Sequence, residues 1–326
     1  MTDIHNGNPL LAIDIGGTKI AAGLVDPSGR VLGRARGETP DTREASDIVA
    51  TAVRVAHTAL KESGHSLDDV EKAGVSCAGI LNTPEGVMVF SPNIPALRRT
   101  PLRDMLSQRL GCAVRLGNDA NLAALGEWHY GLNRTVSNLV YVTVSTGIGG
   151  GIVSEGKLLE GACGAAGEVG HMTIDVNGPR CPCGRTGCWE SLASGRALAE
   201  RTVQRIEEGE TTIVGHLAGG DMGKVDAQLV EIAARQGDAL AMEMISTTAY
   251  YVGVGLANLI NLFNPEVILL GGGVTKIGDA LIGPASRIAR ERAYVSQVCD
   301  VTIRKAMLGD DSPLLGATAL ALGLDC

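Results

Sequence analysis

Apolar positions along the chain fall into alternating strand-like and helix-like stretches. Leu10 to Ile15 and Ile20 to Val25 read as two strands joined at Gly16-Gly17. Pro27-Ser28-Gly29 marks a turn before a third strand beginning at Val31. From Ile48 to Leu60, apolar residues at Ile48, Ala52, Val55, Ala56, Ala59 and Leu60 trace one face of a helix. A strand is expected over Val70 to Ser76 and a loop rich in Pro and Asn over Asn82 to Pro95. A helix over Leu102 to Leu110 and a short strand over Ala113 to Leu116 follow, then a helical stretch over Ala120 to Trp128.

The pattern then restarts. Leu139 to Val144 reads as a strand, Gly147 to Gly151 as a turn, and Gly151 to Val153 as another strand. A loop-rich insertion runs from about Glu160 to Cys188. Helices are expected over Glu190 to Glu207 and Asp238 to Leu262, a buried strand over Val267 to Leu270, and a last helix from Ser312. Strand, glycine turn and strand thus occur twice, at residues 10–25 and 139–153. The duplication predicts two similar α/β lobes facing a ligand cleft.

Composition narrows the class. The chain has 326 residues, 45% apolar, 20% charged and 3% aromatic, with 44 glycines, so about two domains are expected. A net charge of −8 argues against a nucleic-acid partner or a polybasic membrane anchor. Met1 to Pro9 lacks a basic region followed by an apolar one, and no run approaches 18 apolar residues. A soluble, cytoplasmic protein is expected. Of the eight cysteines, Cys181, Cys183 and Cys188 cluster, which in a reducing compartment favours metal or redox chemistry over a disulfide framework.

In Asp14-Ile15-Gly16-Gly17-Thr18-Lys19 a strand ends in glycines that let the backbone approach a ligand closely. Their N–H groups and Thr18 suit phosphate oxygens, and Asp14 suits Mg²⁺ held through its water shell. An ordinary Gly-Gly hairpin explains the same residues. The second turn, Ser145-Thr146-Gly147-Ile148-Gly149-Gly150-Gly151, makes the hairpin explanation insufficient. It is no dinucleotide fingerprint, because Ile152 stands where a third glycine is needed. Gly151 to Lys157 is no P-loop either, because Leu158 replaces the Mg²⁺-binding hydroxyl. Paired hairpin phosphate loops remain. His171, Cys181, Cys183 and Cys188 form H-x9-C-x-C-x4-C, four borderline-to-soft donors for a closed, structural Zn²⁺ site; incidental free thiols are the alternative. Asn118-Asp119 precedes a helical stretch, and helix capping accounts for both.

Leu11 to Val25, Ser145 to Gly151 and Gly271-Gly272-Gly273 resemble the two phosphate loops and the adenosine loop of the actin-like ATPase superfamily. More narrowly, Gly167-Glu168-Val169-Gly170-His171 followed by Cys181 to Glu190 resembles the signature of the ROK family of sugar kinases and repressors. The resemblance implies a two-lobed α/β fold: a small lobe of residues 1–117, on which a helix of 312–326 packs back, and a larger lobe of 118–311 with the zinc loop. It implies an ATP-dependent hexose kinase acting on a 6-hydroxyl, glucose first, with Asp119 as the catalytic base. Sugar contacts would come from Gly79, Asn93, Asn118, Asp119, Glu168, His171 and Glu190. Nucleotide and Mg²⁺ would fall to Asp14, Gly16, Gly17, Thr18, Lys19, Thr146, Gly147, Gly149, Gly271, Gly272 and Gly273. For Asn93, a Pro-Asn turn is a sufficient reason by itself, and Ala96-Leu97 departs from the Gly-Trp of many relatives. A homodimer is implied. The repressors carry a further helix-turn-helix domain before the first phosphate loop, for which the ten residues before Leu11 are too few. An N-acetylhexosamine kinase acting on N-acetylmannosamine or N-acetylglucosamine is the runner-up, followed by a non-catalytic sugar sensor. Polyphosphate is the alternative donor.

Overall fold

A computed structural model of the chain describes residues 8–297 and 299–324. The amino-terminal stretch read for a leader therefore lies, up to residue 7, outside the described residues, as do residues 325 and 326 of the expected last helix. In chain order the first elements are β1 (Leu10–Ile15), β2 (Lys19–Val25), β3 (Val31–Glu38), α1 (Ala45–Glu62), β4 (Lys72–Cys77), β5 (Ile80–Asn82), β6 (Val87–Phe90), α2 (Leu102–Leu110), β7 (Ala113–Asn118) and α3 (Asp119–Gly126). Then come β8 (Leu139–Val144), β9 (Ile148–Ser154), β10 (Lys157–Leu158), α4 (Trp189–Ala193), α5 (Gly195–Glu207), α6 (Val214–Leu217) and α7 (Ala227–Arg235). The last are α8 (Ala239–Phe263), β11 (Val267–Gly271), α9 (Asp279–Arg292), β12 (Thr302–Lys305) and α10 (Ser312–Leu322).

Two compact units result. One comprises Met1–Ser137, Gly151–Gly167 and Met307–Cys326, the other Asn138–Gly150 and Glu168–Ala306. The first unit is built on a sheet of order β3-β2-β1-β4-β7, with β1 antiparallel to β2 but parallel to β4, and β4 parallel to β7. Its central strands are apolar on both faces, as expected of strands covered by helices. Leu11, Ile13 and Ile15 are fully buried, each contributing about 1.5–3 kcal/mol by removal from water. The predicted face of α1 (Ile48, Ala52, Val55, Ala56, Ala59, Leu60) is buried against β2 and β3. Because α10 is apolar nearly all round, it is buried nearly all round, against α3, β1 and β4. Its entry is anchored by Glu127, in a π-helical turn after α3. That fully buried carboxylate accepts from the N–H groups of Met307 (2.9 Å) and Leu308 (2.8 Å) and from the Ser312 hydroxyl (2.7 Å). Three donors offset the cost of burying its charge.

In the second unit β11 lies between β8 and β12, parallel to both. The long α8 packs against α4, α5, α7 and α9. It starts where the Asp238 carboxylate accepts from the Ala241 N–H at 2.9 Å, and ends at Asn264 in the left-handed region (φ 42°), just before Pro265. No helix among the described residues is long and apolar enough to cross a membrane.

Three expectations need correcting. The loop of Asn82 to Pro95 contains most of the β5–β6 hairpin, whose strands are too short to show a period. The turn expected over Gly147 to Gly151 closes already at Ser145–Gly147, and Gly149 to Gly151 are extended residues of β9. The helix expected over Glu190 to Glu207 is broken at Ser194, whose hydroxyl accepts from the Ala197 N–H (3.2 Å) and so starts α5 afresh.

Candidate active site

In the first unit the carboxyl ends of β1, β4 and β7 lie side by side, with Asp14 in register with Ser76, and Cys77 with both Ile15 and Asn118. Such strand ends are the usual ligand crevice of an open α/β sheet. Asn118 caps α3: its Oδ1 accepts from the N–H groups of Ala120 (2.9 Å) and Asn121 (3.1 Å), and its Nδ2 donates to the Gly79 carbonyl at 3.0 Å. Asp119 is the first residue of α3, so the cap aims it without using it.

Asp14 and Asp119 are packed among protein atoms yet retain solvent contact. Burial pushes Asp119 above the ordinary carboxylate range, against the N–H groups of Ala120 and of Asp119 itself and the Asn118 side chain. Asp14 is pushed up to about 6, chiefly by burial. The Ser76 hydroxyl, donating to Oδ1 at 2.7 Å, opposes that rise; the Asp119 charge adds to it and Lys19 subtracts. One largely buried carboxylate that keeps some solvent contact fits Mg²⁺ bound mostly through water.

The Gly16–Lys19 turn beside Asp14 is closed by its own backbone, Gly16 N–H donating to the Lys19 carbonyl at 3.0 Å. The Thr39 hydroxyl ties down the Gly16 carbonyl at 2.7 Å, leaving Thr18 and Lys19 exposed at the tip. A Cβ at Gly17 would lie 2.7 Å from the Asn93 Cβ, so glycine is what admits the Asn93 turn. Asp14, Gly16 to Lys19, Gly79, Asn93, Asn118 and Asp119 all belong to this unit.

Glu168, His171, Glu190, Thr146, Gly147, Gly149 and Gly271 to Gly273 belong to the second unit. There the turn is closed by Ser145 N–H donating to the Gly147 carbonyl at 2.8 Å. Glu190 Oε2 accepts from the Ile148 N–H at 2.9 Å, and a Cβ at Gly147 would run into that carboxylate. On the other side Gly195, opening α5, donates its N–H to the Ser145 carbonyl at 2.7 Å. Gly271 ends β11 and Gly272 caps the short turn Gly273–Ile277. Ser145, Thr146 and Gly273 line a cavity of about 1000 Å³, whose other walls include Arg196, Glu200, Met222 and Lys276. Its size suits a nucleotide.

The insertion brings the four predicted metal ligands together. One atom each from His171, Cys181, Cys183 and Cys188 lies within 4.8 Å of all the others. Cys181 Sγ is 3.9 Å from His171 Nδ1, and the Cys183 and Cys188 sulfurs are 3.6 Å apart. A zinc tetrahedron with Zn–S bonds of about 2.3 Å has edges of about 3.8 Å, so the donors fit in kind and spacing. His171 Nε2 faces away from this cluster toward Glu168 Oε2, 4.0 Å distant. Glu190 Oε1 lies 3.9 Å from Cys181 Sγ. One carboxylate thus touches both the metal cluster and the glycine turn.

Two groups escaped the sequence reading. Ser76 is a fully buried hydroxyl at the end of an apolar strand, and that misfit was its signal. The walls of the cavity come from α5 and from residues 222–235, amphipathic segments with no motif.

Comparison with known proteins follows this geometry closely. A family model described as the ROK family matches residues 10–323. A glucokinase of Streptomyces coelicolor is 38% identical over 320 residues, 95% of this chain and 96% of that protein. An N-acetylmannosamine kinase of Escherichia coli O157:H7 is 33% identical over 313 residues, 96% of this chain and 98% of that protein. The crystal structure of a ROK family glucokinase from Streptomyces griseus, in complex with glucose and AMPPNP, superposes with a TM-score of 0.84 at 36% identity. It covers 97% of this chain and 99% of its own. The fold is the α/β fold of the actin-like ATPases, as the residues at the two glycine turns implied.

Proposed function

The chain belongs to the ROK family, and on that premise we propose that it is an ATP-dependent hexose kinase that phosphorylates the 6-hydroxyl of glucose. The observation that carries the reading is the pair Asp14, on β1, and Asp119, just after β7, at the carboxyl end of one sheet with β4 between them, both raised by burial.

In this mechanism Asp119 accepts the proton of the attacking hydroxyl; its raised affinity for a proton suits a general base. The hydroxyl oxygen bonds to the γ-phosphorus, the bond from that phosphorus to the β-phosphate oxygen breaks, and ADP leaves. Asp14 would hold Mg²⁺, which neutralises phosphate charge when bound. Thr18, Lys19, Gly17, Thr146, Gly147 and Gly149 would hold the phosphates by N–H groups and side chains. Gly16, whose N–H is held by the Lys19 carbonyl, would permit close backbone approach, and Gly271 to Gly273 would hold the adenosine. Gly79, Asn93, Asn118, Glu168, His171 and Glu190 bind the sugar hydroxyls. His171 Nδ1, Cys181, Cys183 and Cys188 would hold Zn²⁺, which supplies rigidity to the sugar-binding loop and leaves no position open for chemistry.

The likeness to an N-acetylmannosamine kinase favours a second reading, a kinase of 2-acetamido hexoses. The proposal extends to a cytoplasmic homodimer without nucleic-acid partners, in keeping with the acidic balance and with symmetric association as the general default. Incubation with Mg²⁺-ATP and glucose tests the reaction: glucose 6-phosphate and ADP are expected in equal amounts. ATP hydrolysis without sugar phosphate, or no turnover with any hexose, would contradict it.

A further inference from the structure

The strand β4 is apolar and buried from Ala73 onward until it reaches Ser76. This side chain is fully buried, where alanine would fill the core as well, so packing alone does not call for a hydroxyl. A buried hydroxyl without a partner is costly, and this one has a specific partner. In the parallel register of β1 and β4, Asp14 and Ser76 are opposite each other, and the hydroxyl donates to Asp14 Oδ1 at 2.7 Å. We propose that Ser76 is a positioning residue for phosphoryl transfer, its hydroxyl fixing the Asp14 carboxylate so that the second oxygen stays presented at the strand end. The proposal rests on the kinase reading above.

The need for such a donor follows from the groups around Asp14. Asp119 at the start of α3 repels its charge, and burial removes the water that would otherwise stabilise it. Lys19 on β2 is the cation that offsets this. Cys77, the next residue of β4, is held neutral by burial and by both carboxylates, so it offers no charge. The Ser76 hydroxyl therefore pins one oxygen of Asp14 and leaves the other presented at the strand end.

The test compares Ser76→Ala with Ser76→Cys, which keeps a side chain of similar shape but only a weak donor. For each, kcat/KM for Mg²⁺-ATP is measured against pH at several Mg²⁺ concentrations, with sugar KM as the control. A hydrogen bond to a charged group is strong enough to move the acid limb of Ser76→Ala upward by about one pH unit. The Mg²⁺ dissociation constant, read by calorimetry with a non-hydrolysable ATP analogue and no sugar, should rise about tenfold at pH 6.5. Extra Mg²⁺ should drive the limb back down, because metal and proton compete at Asp14, and sugar KM should stay unchanged. Ser76→Cys should shift in the same direction by less. If Ser76→Ala does not fold, the Ser76→Cys profile decides alone. A wild-type acid limb and Mg²⁺ dependence in the folded variants would overturn the proposal. Asp14→Asn is run beside them: if it remains active, the role given to Asp14 fails. If it is inactive while the Ser76 variants behave as wild type, only the role of Ser76 fails.

Discussion

At Gly16–Lys19 the turn closes on itself and lies beside a carboxylate fixed from the neighbouring strand. At Ser145–Gly147 the backbone closes likewise, but the turn is then gripped from outside, by Glu190 on one side and by the first N–H of α5 on the other. The two turns share a sequence pattern of strand, glycines and strand. The first presents a side chain, Asp14, whose support comes from Ser76 in the same sheet. The second has the Ile148 N–H held by a residue 42 positions away, which also touches Cys181 of the metal cluster. Damage to the metal loop should therefore reach the second turn and leave the first alone.

The largest expected effect lies on the first side. Asp119→Asn should lower kcat by at least about 10²-fold, since a positioned base typically contributes 10²–10⁴. Calorimetry on the same sample should show glucose still bound. Near-normal turnover would leave Asp119 as a helix-start residue only.

Next comes the metal. Elemental analysis should find about one zinc per chain, as one four-ligand set implies. A strong chelator, or Cys183→Ser, should weaken glucose binding by about 10- to 100-fold, the usual size for disturbed metal surroundings. ATP binding should weaken less, through Glu190. Metal-free protein with full sugar affinity would break the link between the metal loop and the sugar site.

A matched pair of glycine variants sharpens the contrast. Gly17→Ala pushes on Asn93, and Gly147→Ala pushes on Glu190. Overpacking of about 1–3 kcal/mol corresponds to roughly 5- to 150-fold in KM. The first variant should raise the KM for sugar, and the second should raise the KM for ATP as well. Identical kinetic profiles for the two would mean that the turns are not distinct in function.

How much of this was legible in the sequence follows the same division. The four metal-type side chains cluster in a stretch whose residue types announce a metal site, whereas the first turn alone also reads as a hairpin and Asn118-Asp119 alone as a helix cap; their kinase roles come only with the resemblance to the ROK family. The Asn118 cap is legible too, because capping is local. The bond from Glu190 to Ile148 is not, because it joins residues that only folding brings together. Nor is the role of Ser76, which depends on the register of two strands 62 residues apart. The break at Ser194 shows the converse: a helical period ran on through a serine that restarts the helix by capping it.

The smallest effect is on stability. Burial raises Asp14 to about 6 and Asp119 also upward, so the folded chain holds protons more tightly than the unfolded one. Their contribution to stability is fully present below about pH 4, near the ordinary aspartate value, and is lost as pH rises through about 6. Asp14→Asn keeps an oxygen for Ser76 and removes the charge. It should raise the melting temperature at pH 7.5 by about 1–2 °C, the shift that about 1 kcal/mol gives a chain of 326 residues. At pH 4 the gain should vanish. A gain of equal size at both pH values would mean that charge is not its cause.

The central claim, a kinase selective for glucose, is tested most directly by kcat/KM on a panel of glucose, mannose, fructose, N-acetylglucosamine and N-acetylmannosamine with Mg²⁺-ATP. A misplaced hydroxyl leaves a buried partner unpaired, worth about 1–3 kcal/mol, or roughly 5- to 150-fold in specificity. Glucose should lead the panel by a factor in that range. An acetamido sugar ahead of glucose by tenfold or more would contradict the assignment to glucose.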